Sequence, residues 1–201
     1  MKSKTNRILS LAAQGHLIRS KEVSSLGIPR NYLSRFVGKG LLKRVGRGLY
    51  ASDSFPITEH LSLIEATARI PKGVICLVSA LEFHKLTTQI PHQVWMAIDV
   101  KAWAPRIAYP PIRLIRMSGL ALQFGLKEYP VRGGTVRAYS VAKTVADCFK
   151  FRNKVGIDVA LEALKECRRL RRASMDDLWA AAKVCRVANV MRPYLESLQI
   201  T

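Results

Sequence analysis

The sequence predicts an α+β chain in which three short helices and a basic hairpin precede a mixed domain with a small sheet and several helices. Three observations carry that expectation. Helical spacing interrupted by glycines fills the first forty residues, β-compatible runs flank a Gly-Arg-Gly turn at 46–48, and the pattern beyond residue 140 is helical nearly to the end. With 201 residues, 49% of them hydrophobic, the chain is long enough for one or two domains with a real core.

Residues 4–14 read as a first helix with Ile8, Leu11 and Ala12 on one face, stopped by Gly15. Residues 16–18 read as extended. Ser20 is expected to cap a second helix, with Glu22 and Val23 in its first turn. Residues 26–28 make a turn in which Gly27 can take the left-handed conformation. Pro29 is expected to open a third helix, where its missing N–H costs nothing, and that helix runs to about Lys39 before Gly40. Tyr32, Leu33, Phe36 and Val37 fall on its packing side. Arg30, Asn31, Ser34, Arg35 and Gly38 fall on the other. Residues 41–45 and 49–51 then form a hairpin about the turn at 46–48. Three short helices followed by a basic hairpin is the order of a winged helix-turn-helix.

Residues 52–56 read as a linker, which divides the chain into domains at 1–53 and 57–201. The second domain is expected to hold a helix at 59–69, broken by Pro71-Lys72-Gly73, and a helix at 80–86 capped by Ser79. Strands follow at 94–100, 112–117 and 136–139, then helices at 141–151, 157–171 and 174–188 and a short end from Pro193. The sequence contains no internal repeat and no low-complexity tract.

Charge narrows the function. Thirty-three Lys and Arg face fourteen Asp and Glu, a net charge of +19. Residues 1–52 carry eleven of the cations and one acid, Glu22. A polyanion is the natural partner of such a chain: nucleic acid first, an anionic membrane surface second. Residues 1–15 are basic, then apolar, but the apolar run at 8–13 is shorter than the roughly 7–15 residues of a secretory core segment. The longest later apolar run, 74–81, falls far short of the roughly 20 residues of a membrane span, so no membrane partner is expected and the location is read as cytoplasmic. Cys76, Cys148, Cys167 and Cys185 form no CxxC pair and are expected as buried free thiols.

The third helix offers the chemistry of base reading. Arg bonds guanine in a bidentate fashion, Asn does so with adenine, and Ser serves either. Arg30, Asn31, Ser34 and Arg35 have those side chains on one face. Lys39 would lie nearer a phosphate, and Lys43, Arg44 and Arg47 on the hairpin would meet phosphate or the minor groove. Double-stranded DNA is therefore the expected partner.

Two stretches bear a resemblance to a known family: GRGLYA at 46–51, and YSVAKTVADCFKFRNKVGIDVALEALK at 139–165. In the second, Ser140, Lys143, Thr144, Asp147, Phe151, Arg152 and Gly156 occur in one run. The chain resembles the AbiEi antitoxins of abortive-infection toxin–antitoxin systems. The resemblance implies a repressor of its own operon acting at inverted repeats near the promoter. It also implies a C-terminal domain that counters a nucleotidyltransferase-like toxin in the type IV manner, without a stable complex.

The 139–165 segment has a plain reading as well. Val141, Val145, Cys148 and Phe149 lie on one helical face and pack, leaving Lys143, Asp147, Lys150 and Arg152 mostly on the surface. Asp147 paired with a nearby cation, and a patch that meets toxin or nucleic acid, are both open. A second basic cluster at Lys165, Arg168, Arg169, Arg171, Arg172, Lys183 and Arg186 is either a solvated face or a surface for DNA or RNA.

Catalysis is the alternative class. Asp99-Val100-Lys101 closes a strand and, with Glu82, resembles the core of some metal-dependent nucleases. This composition yields such a triplet by chance. His16, His60, His84 and His92 lack metal-ligand spacing with the cysteines, and His84 beside Phe83 reads as a satisfied core histidine. There is no phosphate-binding GxxxxGK loop and no GxSxG elbow. No cofactor, no metal and no enzymatic role are expected.

Overall fold

A computed structural model describes residues 4–13, 17–46, 48–53, 55, 58–105 and 107–198. The fold is α+β. It divides into two compact units, Met1–Pro71 with Pro130–Val136, and Lys72–Tyr129 with Arg137–Thr201. Ser52, where the expected linker begins, closes a strand, and residues 54, 56 and 57 lie outside the described residues.

The first unit runs α1 (Lys4–Ala13), β1 (Ile18–Arg19), α2 (Ser20–Ser25), α3 (Asn31–Gly38), β2 (Leu42–Gly46), β3 (Leu49–Ser52) and α4 (Leu61–Arg69). The expected stop at Gly15 and the extended His16 lie outside the described residues. The three strands form an antiparallel sheet in the order β1-β3-β2, with a register shift between Arg44 and Gly46. Ile8, Ala12, Ile18, Val23, Ile28, Leu33, Phe36 and Leu42 make its core.

Helix starts differ from expectation. Arg19, not Ser20, caps α2: the Glu22 carboxylate reaches back to accept the Arg19 backbone N–H at 3.1 Å and its Nε at 2.6 Å. The Ser20 N–H is committed to the Gly48 carbonyl at 2.9 Å. Helix α3 begins after an Arg30 cap, so Pro29 stands outside it and its carbonyl accepts the Tyr32 N–H at 3.2 Å.

The second unit runs β4 (Val74–Ile75), α5 (Leu77–Phe83), β5 (Val94–Asp99), β6 (Ile112–Met117), α6 (Leu120–Gln123), β7 (Leu126–Val131), β8 (Gly134–Tyr139), α7 (Val141–Lys150), α8 (Arg152–Val155), α9 (Ile157–Arg169), α10 (Met175–Cys185) and α11 (Ala188–Ser197), with the 130–136 tip of the β7–β8 hairpin grouped in the first unit. Its sheet has the order β6-β5-β4-β8-β7, parallel at β5/β6 and β4/β8 and antiparallel at β4/β5. Ser79 caps nothing; inside α5, its hydroxyl accepts the Trp95 N–H at 3.0 Å and so ties the helix to β5. His84 sets its Nε2 2.7 Å from the Tyr139 carbonyl, in keeping with a satisfied core histidine. Cys76, Cys148, Cys167 and Cys185 are all free and buried.

Helix α7 packs against α5, α9, α10 and α11 and is buried at every position from Ala142 to Phe149. Lys143 and Asp147 are therefore not on the surface, as the helical face had implied; each is fully buried. A helix with one partner solvates its polar side, but α7 is enclosed, so its charges must satisfy each other one turn apart. The Lys143 ammonium donates to Asp147 Oδ2 and lies 4.0 Å from the centre of the Tyr139 ring. Cys185 of α10 donates its thiol to Asp147 Oδ1 at 3.3 Å. Burial pushes the Asp147 carboxyl above its usual range, and Lys143 opposes that rise. The loop before β7 closes over the pair at Gly125. There φ is +70°, and a Cβ would meet Lys143 Cβ at 2.7 Å and Ser140 Oγ at 2.8 Å.

Among the described residues five helices end in the same turn, in which a residue at the cap (α10) or just beyond it is left-handed and the next N–H bonds back into the last helical turn. In α2 and α3 the left-handed residues are Gly27 and Gly40, followed by Ile28 N–H to Val23 O at 3.2 Å and Leu41 N–H to Phe36 O at 2.9 Å. In α5, α9 and α10 they are Lys85, Arg171 and Arg186, at φ +58°, +51° and +58°. A side chain there costs about 1–2 kcal/mol relative to glycine, against about 0.3–1 kcal/mol returned by a cation at a helix C-terminus.

Removing one member of the α7 pair leaves the other charge buried alone, so Asp147→Leu and Lys143→Met are each expected to lower unfolding free energy by about 3–5 kcal/mol. The double variant is expected to recover most of that loss. Urea unfolding of all four proteins measures the coupling, and additive losses would show that the pair does not act as a unit.

Candidate nucleic-acid interface

Helix α3 buries Leu33 and Phe36 in the core of the first unit and half-buries Tyr32. Val37, expected on the same side, is 36% exposed, because the eight-residue helix ends within a turn of it. Opposite that seam Asn31, Ser34, Arg35 and Gly38 form an exposed row at i, i+3, i+4 and i+7, with Arg30 and Lys39 exposed at its two ends. The sequence-expected face is thus assembled on one side of one helix.

Two of its cations are held. Arg30 donates from Nε to the Ser24 hydroxyl at 3.0 Å, which joins the end of α2 to the start of α3. Arg35 lies 5.7 Å from the centre of the Tyr32 ring, and that ring tilts against Phe36 at 6.4 Å. Ser24 escaped the sequence reading, since a serine in a short helix carries no signal until its partner six residues on is known.

The hairpin of β2 and β3 places Lys43 and Arg44 on its exposed strand; Arg47 lies outside the described residues. Lys43 donates to the Asp53 carbonyl at 3.2 Å and Arg44 to the Gly46 carbonyl at 3.3 Å. Under Gly46 lies the Arg69 guanidinium of α4, which a Cβ on that glycine would strike. Arg69 stands 3.9 Å from Glu65, whose carboxyl is raised by burial and pulled back by Arg69.

The second-unit candidates separate. Lys143 and Asp147 are core residues. Lys150 is half-buried with its ammonium 6.0 Å from the centre of the Phe151 ring, and Arg152 is half-buried and donates to the Phe149 carbonyl at 3.0 Å. Arg168 is half-buried. Arg169 is exposed but engaged by both Glu166 oxygens, at 2.6–3.1 Å. Arg171, Arg172, Lys165, Lys183 and Arg186 are exposed.

Asp99 at the end of β5 turns its carboxylate back to the Lys101 N–H at 2.8 Å, and Glu82 is half-buried on α5. Among the described residues no three His, Cys, Asp or Glu side chains are grouped to hold a metal ion, and no helix is long and apolar enough to cross a membrane.

Residues 6–52 match the family model described as transcriptional regulator, AbiEi antitoxin. No curated protein sequence matches the chain significantly. Among solved structures the chain is similar to the RV2827C protein of Mycobacterium tuberculosis. The TM-score is 0.53 and the identity 12%, over 91% of this chain and 72% of that one, a likeness of fold.

Arg35→Ala is expected to weaken binding to a preferred duplex and relax one base preference by about 1–3 kcal/mol. Filter binding against a panel of single-base variants measures it, and an unchanged Kd would remove α3 from the interface.

Proposed function

We propose that the chain is a transcriptional autorepressor and antitoxin of the AbiEi kind, which inserts α3 into the major groove of operator DNA and rests its hairpin on the flanking backbone. The row Asn31, Ser34, Arg35 carries this reading, because it lies exposed within the segment that matches the regulator family. Base-reading side chains stand on α3, and Lys39, Lys43 and Arg44 surround them with charge for phosphate. Arg30 and Arg35 already have partners in the free protein, so less freedom remains to be lost on binding.

On this reading the protein acts in the cytoplasm without cofactor or catalysis. It represses its own promoter at inverted repeats and counters a nucleotidyltransferase-like toxin through its second unit. Lys150 and Arg152, around the start of α8, and Arg168, Arg169, Arg171 and Arg172, at the end of α9, are the second unit's candidates for meeting toxin or nucleic acid.

Purified protein titrated against its own upstream DNA, with scrambled duplex as competitor, is expected to bind tightly and resist the competitor. The Arg30→Ala/Arg35→Ala variant is expected to lose that preference by about 10²–10³-fold, at about 1–3 kcal/mol for each good base contact. Equal affinity for upstream and scrambled DNA in the parent protein would sink the operator reading.

A further inference from the structure

The β2–β3 hairpin holds two glycines, and backbone conformation explains only one of them. Gly48 sits at φ +73°, in the left-handed region that favours glycine. Gly46 lies outside that region, so its φ would admit a side chain. What excludes one is Arg69, the last residue of α4, whose guanidinium fills the place where the Cβ would stand. Gly46 is therefore a contact residue, bare so that a cation can lie against the backbone of the hairpin.

Arg69 is itself held from below. Its side chain is 15% exposed, and Glu65, one turn earlier on α4, is 5% exposed and stands 3.9 Å away. Among the described residues neither Glu65 Oε2 nor Arg69 Nε has a hydrogen-bond partner. The pair attracts, but no hydrogen bond between its members fixes the guanidinium. A helix C-terminus favours a cation at this position, yet a lysine would meet that need as well. A planar head against bare backbone is what arginine and glycine provide together.

The other side of Gly46 faces the residues expected at phosphate. Its carbonyl accepts the Arg44 Nε at 3.3 Å, and the register of β2 against β3 shifts between Arg44 and Gly46. Strand β2 is at the sheet edge, paired on one side only, and it carries the exposed Lys43 and Arg44. A short edge strand with an irregular register has little stiffness of its own, so a support at its end governs where its cations stand. Helix α4 supplies that support from beyond residues 6–52, the segment that matches the regulator family.

We infer that Arg69 is a positioning residue for the hairpin: packed under Gly46, it sets the pose in which Lys43 and Arg44 meet the phosphate backbone. This rests on the DNA reading of α3 and its hairpin given above. Arg69 is too buried to be a phosphate contact and acts through Gly46.

Full-length variants are titrated with upstream and scrambled duplex across a salt series, and their Tm is measured. Gly46→Ala keeps every charge and displaces the guanidinium; Arg69→Lys keeps the charge and loses the planar head. Each is expected to flatten the dependence of log K on log salt by about 0.9–1.8 on both duplexes, one or two contacts. Each is expected to keep the ratio of upstream to scrambled affinity within about twofold of the parent, since phosphate contacts carry no base preference. Gly46→Ala is expected to lower Tm in the parent and to leave it unmoved in an Arg69→Ala background, where the space is open. A lower Tm with parental slopes would make the contact structural only and overturn the proposal, and an equal drop in Tm in both backgrounds would do the same. A changed affinity ratio would place the effect on α3 and also overturn it. If Gly46→Ala does not fold, Arg69→Lys decides. Equal affinity of the parent for both duplexes would sink the operator reading alone, and the slopes would still measure the hairpin.

Discussion

The second unit depends on one interaction, the ion pair between Lys143 and Asp147 inside α7. Two charges without solvent are tolerated only if every lone pair and proton is used. Here the Tyr139 ring covers the ammonium and the Cys185 thiol caps the free carboxylate oxygen. Those partners come from β8 and α10, so the pair specifies which neighbours α7 accepts. The Tyr139 hydroxyl in turn donates to the Leu122 carbonyl at 2.8 Å, which draws the α6 segment into the same network. A slipped α7 would leave a bare charge in the core; that penalty favours a single packing arrangement over near alternatives.

The first unit works by division of labour along one short helix. Leu33 and Phe36 bind α3 to its core, and the opposite side is left with polar groups that have few local obligations. A face that is to meet DNA, as proposed, needs this asymmetry, because a side chain that reads bases cannot also be structural. Arg30 and Arg35 are intermediate cases: a single hydroxyl and a ring face orient them without satisfying a guanidinium that has five donors.

What could be read from sequence was what is local. The period of α3, the glycine turn of the hairpin and the strands at 94 and 112 each announce themselves within a few residues. The elements that escaped are defined by distant partners. Strand β7 contains Pro130, which argues against a central strand; the sheet places β7 at its edge, where a missing N–H is harmless. Strand β4 is two residues inside an apolar run shared with α5, and nothing in residues 74–81 marks where one becomes the other. A helical wheel assumes one partner and so makes α7 one-sided; its enclosure by α5, α9, α10 and α11 is invisible from its own sequence. The caps differ for a similar reason: Ser20 and Ser79 are good cap residues by type, but the Glu22 carboxylate serves the Arg19 start of α2, and Ser79 lies inside α5 with its hydroxyl taken by the Trp95 N–H.

The four cysteines also give the molecule a built-in clock. Burial raises the thiols of Cys167 and Cys185 to about 11 and about 12, and it pushes Cys76 and Cys148 well above their usual value. A thiol that is neither ionised nor accessible does not react with oxidants or alkylating reagents while the core is closed. Reaction at any of the four therefore reports an opening of the second unit, and Cys185 reports the moment when Asp147 loses its thiol partner. Oxidative damage would then fall on molecules that have already opened, leaving the closed population chemically silent.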